Sequence, residues 1–521
     1  MGNKNSFADQ INKSFSFKGD YITLGGAIFE KECLPNLLIN IPLKTLNRHG
    51  LISGATGTGK TKTLQLLAES LSAKSIPVLL MDIKGDLSGL AQPGSINPKI
   101  EERHQKIGIP YSASGFPVEL LSLSNEKGVR LRATVSEFGP VLFSKILELN
   151  DTQSSIVSLI FKFCDDNDLP LVDLKDFKKV LQFSTEEGKE KIEKEYGKIS
   201  SSSIGIILRK IIELEQQGAD VFFGEKSFEV DDLVKIDESG RGVISIIRLI
   251  DLQNRPKLFS TFMLSLLAEI YSSFPEEGDL DQPKLIIFID EAHLIFKEAS
   301  KALLEQIETI IKLIRSKGVG IYFCTQNPTD IPAEVLSQLG LKVQHALRAF
   351  TANDRKMIKL VSENYPISEF YKTDELLTSL GIGEAAITAL DEKGSPTPLV
   401  ATLLCAPKSR MDVLLPEEID ALISKSKLIG KYNSVIDRES AYEMLSEKIS
   451  ISKQKEESFA DEIKLPKQER QPQTSRKENK STLDKVINNT LTRQIGRTVV
   501  REVTRGLLGV LGLGGSTRRR R

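Results

Sequence analysis

Short apolar runs alternate with helical stripes along this chain. Gly50 to Ser53, Val78 to Asp82, Val243 to Ile247, Leu285 to Asp290, Ile321 to Thr325 and Val343 to Leu347 have the length and composition of strands, with a late pair near Ala385 to Ala389 and Leu399 to Leu404. The stretch Leu285-Ile286-Ile287-Phe288-Ile289 has no polar alternation, as expected of a strand whose sheet is covered on both faces. Helical periodicity separates these runs over 51–97 and again over 241–410. Strands alternating with helices wind into a mainly parallel sheet, so the expected class is α/β.

The remaining segments read differently. Residues 1–50 hold only short β-like runs, Tyr21 to Leu24 and Leu37 to Ile41, and read as a short β element leading into the core. Residues 98–240 are mostly helical in pattern: Asn150-Asp151-Thr152 has the form of a helix start before Ile156, Val157, Leu159 and Ile160, and Leu208, Ile211, Ile212 and Leu214 form a second stripe. They are expected to form a helical insertion. A helical extension is expected over 411–445. Residues 446–481 are rich in lysine, glutamate, glutamine and serine and poor in large apolar side chains, the composition of a flexible linker. Over 482–521, Arg493, Arg497, Arg501 and Arg505 recur every four residues in step with Ile487, Leu491, Ile495, Val499, Val503 and Leu507, and Arg518 to Arg521 follow. That pattern predicts a basic amphipathic helix carrying a net charge of +7. It suits a phosphate backbone, an anionic membrane surface or another subunit.

Charge and cysteine content narrow the possibilities. Lysine plus arginine number 70 and aspartate plus glutamate 70, so any contact with a polyanion must be local. The four cysteines (33, 164, 324, 405) and four histidines (49, 104, 293, 345) are dispersed without zinc-ligand spacing. This fits reduced thiols rather than a disulfide framework, and no transition metal is expected. No run approaches the roughly 20 apolar residues that span a bilayer, and the first residues lack a secretory signal's basic start and apolar core. The expected location is cytoplasmic.

The strongest chemical signal is Gly54-Ala55-Thr56-Gly57-Thr58-Gly59-Lys60-Thr61, a complete G-x-x-x-x-G-K-[ST] string between an apolar strand and the helical run from Thr63 to Leu71. Glycines let the backbone curl so that N–H groups face phosphate oxygens, and the helix N-terminus adds a positive dipole. Gly54, Ala55, Thr56, Gly57, Thr58, Gly59, Lys60, Thr61 and Thr63 are the expected nucleotide-binding residues, for ATP. Lys60 would reach the β and γ phosphates and the Thr61 hydroxyl would ligate Mg2+.

A second site decides between hydrolysis and transfer. The 285–289 run ends in Asp290-Glu291: Asp290 would hold the hydrated magnesium and Glu291 would orient or deprotonate the attacking water. Ile321 to Thr325 runs into Gln326, which would sit beside the γ-phosphate if its strand lies between the P-loop strand and the Asp290 strand. Arg315 and Arg348 are candidate arginine fingers.

The strings Leu46 to Ile52 running into Gly54 to Thr61, Met81-Asp82-Ile83-Lys84-Gly85-Asp86-Leu87-Ser88-Gly89-Leu90, Ile289 to His293, Thr325-Gln326-Asn327-Pro328, Arg132 to Glu137 and Leu149 to Gln153 together resemble the YjgR-type branch of the HerA/FtsK superfamily. The resemblance runs from about residue 20 to 410. It implies a RecA-like P-loop NTPase core, with Lys60 and Thr61 on nucleotide and magnesium, Asp290 and Glu291 as the second site, Gln326 as sensor, and Arg315 as the finger acting across a subunit interface. It also implies a homo-oligomer, commonly a hexameric ring, that pumps double-stranded DNA or another polymer. The alternative is an ATP-dependent assembly or remodelling factor that acts on a protein partner.

Overall fold

The computed structural model describes residues 2–451 other than 125, 253, 254, 279, 299, 300, 435 and 437. Most of the expected 446–481 linker and the whole 482–521 basic segment lie outside the described residues. The described residues form two compact units, one drawn from 1–132 with 226–435 and the other from 133–225 with the described residues after 435.

The first unit is built on one sheet of twelve strands: β1 (Tyr21–Phe29), β2 (Glu32–Pro42), β3 (Gly50–Ser53), β4 (Val78–Asp82), β5 (Val118–Ser122), β6 (Val129–Arg130), β7 (Ile244–Arg248), β8 (Leu285–Ile289), β9 (Val319–Thr325), β10 (Leu341–Gln344), β11 (Glu384–Thr388) and β12 (Val400–Leu404). Their order is β2-β1-β12-β11-β10-β3-β9-β8-β4-β7-β5-β6. Every pairing from β10 to β6 is parallel, and every pairing from β10 outward to β2 is antiparallel. The mainly parallel α/β fold expected from the apolar runs is thus present. Strands β3, β4, β8 and β9 are buried along their whole length, which is why their sequences show no alternation.

The sheet reaches beyond its expected ends. β5 and β6 belong to it although their residues fall in the segment read as a helical insertion; β5 pairs with β7, which follows more than a hundred residues later, so no local periodicity reveals the pairing. Residues 1–50 contribute more than a short element. Helix α1 (Gly2–Phe15) buries Phe7, Ile11 and Phe15 at helical spacing, and β1 and β2 make a long hairpin turning at Glu30 and Lys31, both at positive φ (48° and 72°). Two successive positive φ values are the signature of a type I′ turn, which Asn-Gly normally supplies.

The second unit is helical. It contains Val135–Ile146, Asp151–Asp166, Leu174–Thr185, Lys189–Tyr196 and Ser201–Gln216. Asn150 is the N-cap of the Asp151 helix, its side chain accepting from the Gln153 amide at 3.0 Å while the Gln153 side chain returns to the Asn150 amide at 3.1 Å, a reciprocal cap. Phe143 packs against Phe161, Phe177 and Phe223 with ring centroids 4.9 to 6.1 Å apart. The stripe read over 208–214 is half realised, with Ile211 and Leu214 buried but Ile212 exposed.

Candidate functional site

Strand β3 ends at Ser53, and the chain turns through Gly54–Gly59 into helix α2 (Lys60–Ser72). The turn is possible because Gly54, Gly57 and Gly59 adopt φ of 148°, 78° and 118°, values that a Cβ disfavours. At Gly54 space is also short, since a Cβ would lie 2.5 Å from the Cβ of His345. Neighbouring backbone holds the loop from outside: the Ala55 amide donates to the Ala346 carbonyl (2.9 Å) and the Gly383 amide to the Thr58 carbonyl (3.0 Å). Lys60 Nζ donates to the carbonyls of Gly54 (2.8 Å) and Ala55 (3.2 Å). Burial and then the charge of Lys84 push the Lys60 pKa down, while Glu291 and Asp290 pull the other way. No side chain caps the first turn of α2, so its amide groups and dipole face the loop.

Thr63 lies in the first turn of α2. It is buried and its hydroxyl lies 2.8 Å from His345 Nε2. Its side chain is thus turned towards His345, which follows β10. Thr61, at the start of the helix, is only partly buried. His345 was not foreseen as part of the site, because β10 meets β3 only in the folded sheet. Burial, followed by contributions that include the charge of Lys60, holds its pKa down at about 4.

Two strands away, β8 delivers Asp290 and Glu291 to the same carboxyl edge. Both are nearly buried, at 4% and 6% exposure, and Glu291 adopts φ 47°, a conformation that is strained for a residue with a Cβ. The turn is tied to β9 by the Ala292 amide, 2.9 Å from the Cys324 carbonyl. Burial pushes the Asp290 pKa up to about 7; Lys84 opposes this and Glu291 adds to it. Glu291 Oε1 is paired with Lys84, and Oε2 lies 3.2 Å from His293 Nδ1.

The strand carrying Gln326 does lie between the other two: β9 pairs with β3 through Ser53↔Thr325 and with β8 through Ile289↔Phe323. Gln326 is exposed at its end. Thr325 Oγ1 donates to Asp330 Oδ2 at 2.8 Å, and the Asn327 amide reaches the same oxygen at 3.3 Å, which fixes the turn that carries Gln326. The arginines separate. Arg348 is exposed just beyond β10, at the P-loop edge. Arg315 opens the short turn before β9, at the opposite edge, and lines a cavity of about 520 Å³ with Arg48, Lys312 and Lys342. A seven-residue strand separates it from its own P-loop edge by roughly 20 Å.

The donors present fit a magnesium nucleotide. Asp290 Oδ2 is buried with no hydrogen-bond partner, and with the Thr61 hydroxyl it would supply hard oxygen ligands. Among the described residues no three His, Cys, Asp or Glu side chains form a metal cage; Mg2+ needs none, taking one or two carboxylates together with water and phosphate.

Residues 30–519 match the family described as helicase HerA-like C-terminal. The DNA double-strand break repair helicase HerA of Sulfolobus acidocaldarius is 24% identical over 363 residues, covering 68% of this chain and 64% of that protein. HerA of Saccharolobus solfataricus is 23% identical over 382 residues, 73% and 68% of the two chains. Among solved structures, the bacterial conjugative coupling protein TrwBdeltaN70 superposes with a TM-score of 0.51 at 14% identity, over 78% of this chain and 94% of that one; this is a likeness of fold. This chain belongs to the helicase HerA-like C-terminal family, in the HerA/FtsK superfamily of P-loop ATPases.

Proposed function

We propose that this chain hydrolyses ATP bound as its magnesium complex and, as an oligomer, couples hydrolysis to movement on double-stranded DNA. The observation that carries the reading is the insertion of β9 between β3 and β8, which gathers Lys60, Asp290, Glu291 and Gln326 at one sheet edge. In this reading the Gly54–Gly59 amides and Lys60 take the phosphates, and Thr61 and Asp290 hold the ion that neutralises them. Glu291 accepts the proton of the attacking water, and Gln326 reports the γ-phosphate. Arg315, roughly 20 Å from its own loop, acts on nucleotide held by a second copy. DNA as the polymer is supported by the names of the Sulfolobus and Saccharolobus relatives and by the arginine stripe at 493–505.

The test is steady-state ATP hydrolysis with and without double-stranded DNA across a salt series, with Glu291→Gln as control for contaminants. Stimulation by DNA that fades steeply with salt is expected, because phosphate contacts release counterions. An oligomeric, active preparation whose rate ignores DNA would replace the DNA reading with protein assembly or remodelling.

A further inference from the structure

We infer that Lys84 is a positioning residue for Glu291, the counter-charge that holds this carboxylate in place for water activation; the inference rests on the reading of Glu291 as the base. Strand β4 lies beside β8 in the register Met81↔Ile289, so Asp82 comes level with Asp290 and the loop after it rises against Glu291. That loop is held in shape from below. The Asp82 carboxylate accepts the amides of Gly85 (2.7 Å), Asp86 (3.2 Å) and Leu87 (3.1 Å), and Gly85 turns at φ 76° where a Cβ would meet Ile250 Cδ1 at 2.4 Å. Lys84, at the top of this turn, pairs with Glu291 Oε1, its own side chain 41% exposed against 8% for the glutamate.

The electrostatics explain why such a residue is needed. Asp290 and Glu291 are consecutive, nearly buried carboxylates, and two negative charges at that spacing repel each other where little water screens them. Asp86 adds a third, with Oδ1 buried and without a hydrogen-bond partner. Lys60 is hydrogen-bonded to the carbonyls of Gly54 and Ala55, so Lys84 is the ammonium seated on the acidic pair itself. Burial works against its charge, but the Glu291 hydrogen bond and the charges of Asp290, Glu291 and Asp86 outweigh it and raise its pKa. Without it, Glu291 would lose the ion pair on Oε1, at a residue whose backbone is already strained.

The experiment compares Lys84→Met, which keeps the length and loses the charge, with Lys84→Arg, each in the full chain and in the Glu291→Gln background. A fluorescent ATP analogue measures binding and serves as the control for folding. For Lys84→Met, kcat is expected to fall by about tenfold or more with KM and analogue affinity within about threefold of the parent. Lys84→Arg should recover a large part of the loss, and Lys84→Met should change little when Glu291 is already glutamine. Parental kcat in Lys84→Met, a loss confined to nucleotide affinity, equal losses in Met and Arg, or a full further loss in the Glu291→Gln background would each overturn the inference. Unimpaired hydrolysis by Glu291→Gln alone would instead remove the reading on which it rests.

Discussion

Glu291 combines burial with a positive φ, two costs that an ordinary strand end would shed. Such strain persists where the surroundings impose it, and it collects at functional sites. Replacing Glu291 by Gln keeps the shape and removes the proposed base. ATP analogue binding should be retained while turnover falls by about 100-fold or more, as read by single-turnover hydrolysis. Lys60→Ala should lose both binding and turnover, because the phosphate contacts proposed for its ammonium are made in the ground state as well as in the transition state. Gly54→Ala tests the loop differently: at φ 148° and 2.5 Å from His345 Cβ, the added methyl should cost about 1–3 kcal/mol of stability in a denaturant titration and weaken nucleotide binding with it.

Between elements, His49 links the helix leading to Arg315 with the strand leading to Gln326. Its Nε2 lies 2.8 Å from the Ile311 carbonyl, and its Nδ1 accepts from the Ile321 amide at 3.0 Å, so the ring is neutral with the proton on Nε2. Burial lowers its pKa from 6.5 to about 4, the Ile311 hydrogen bond resists, and the charge of Arg315 adds to the lowering. Between these values the unfolded chain binds a proton that the folded chain refuses. The stabilising contribution is therefore complete above pH 6.5 and is lost as pH falls through 4, with a slope of about 1.4 kcal/mol per pH unit. Glu69 works in the opposite sense: burial raises its pKa from 4.5 to about 7, so its contribution is present below pH 4.5 and is lost as pH rises through 7. The comparison of His49→Gln with the parent isolates the histidine. Urea unfolding from pH 4 to 7 should find the variant less stable at pH 7 and the gap narrowing towards pH 4; a constant gap would assign His49 no titration in this range.

At the scale of the whole molecule, the placement of Arg315 at the edge opposite the P-loop makes a prediction about assembly. Arg315→Ala and Glu291→Gln should each be nearly inactive alone. Mixed oligomers should regain activity wherever an intact Arg315 faces an intact Glu291 on a neighbouring copy; no recovery in verified mixtures would exclude a finger in trans. Among the described residues no helix is long and apolar enough to cross a membrane.

Local sequence was sufficient for whatever depends on neighbours along the chain. The P-loop string, the apolar runs buried on both faces and the Asn150 cap are short-range patterns, and Lys60, Asp290, Glu291 and Gln326 were all named from them. Contacts across the fold were decided only by tertiary structure. That β5 joins the sheet beside β7, that Thr63 turns to His345, and that Lys84 meets Glu291 depend on pairings between segments 126 to 282 residues apart. The string Met81 to Leu90 carried a family resemblance but no role for Lys84, since a lysine in a glycine-containing turn reads as solvated. Only the register of β4 against β8 brings it to the acidic pair, and that register is set by the whole sheet closing around its core.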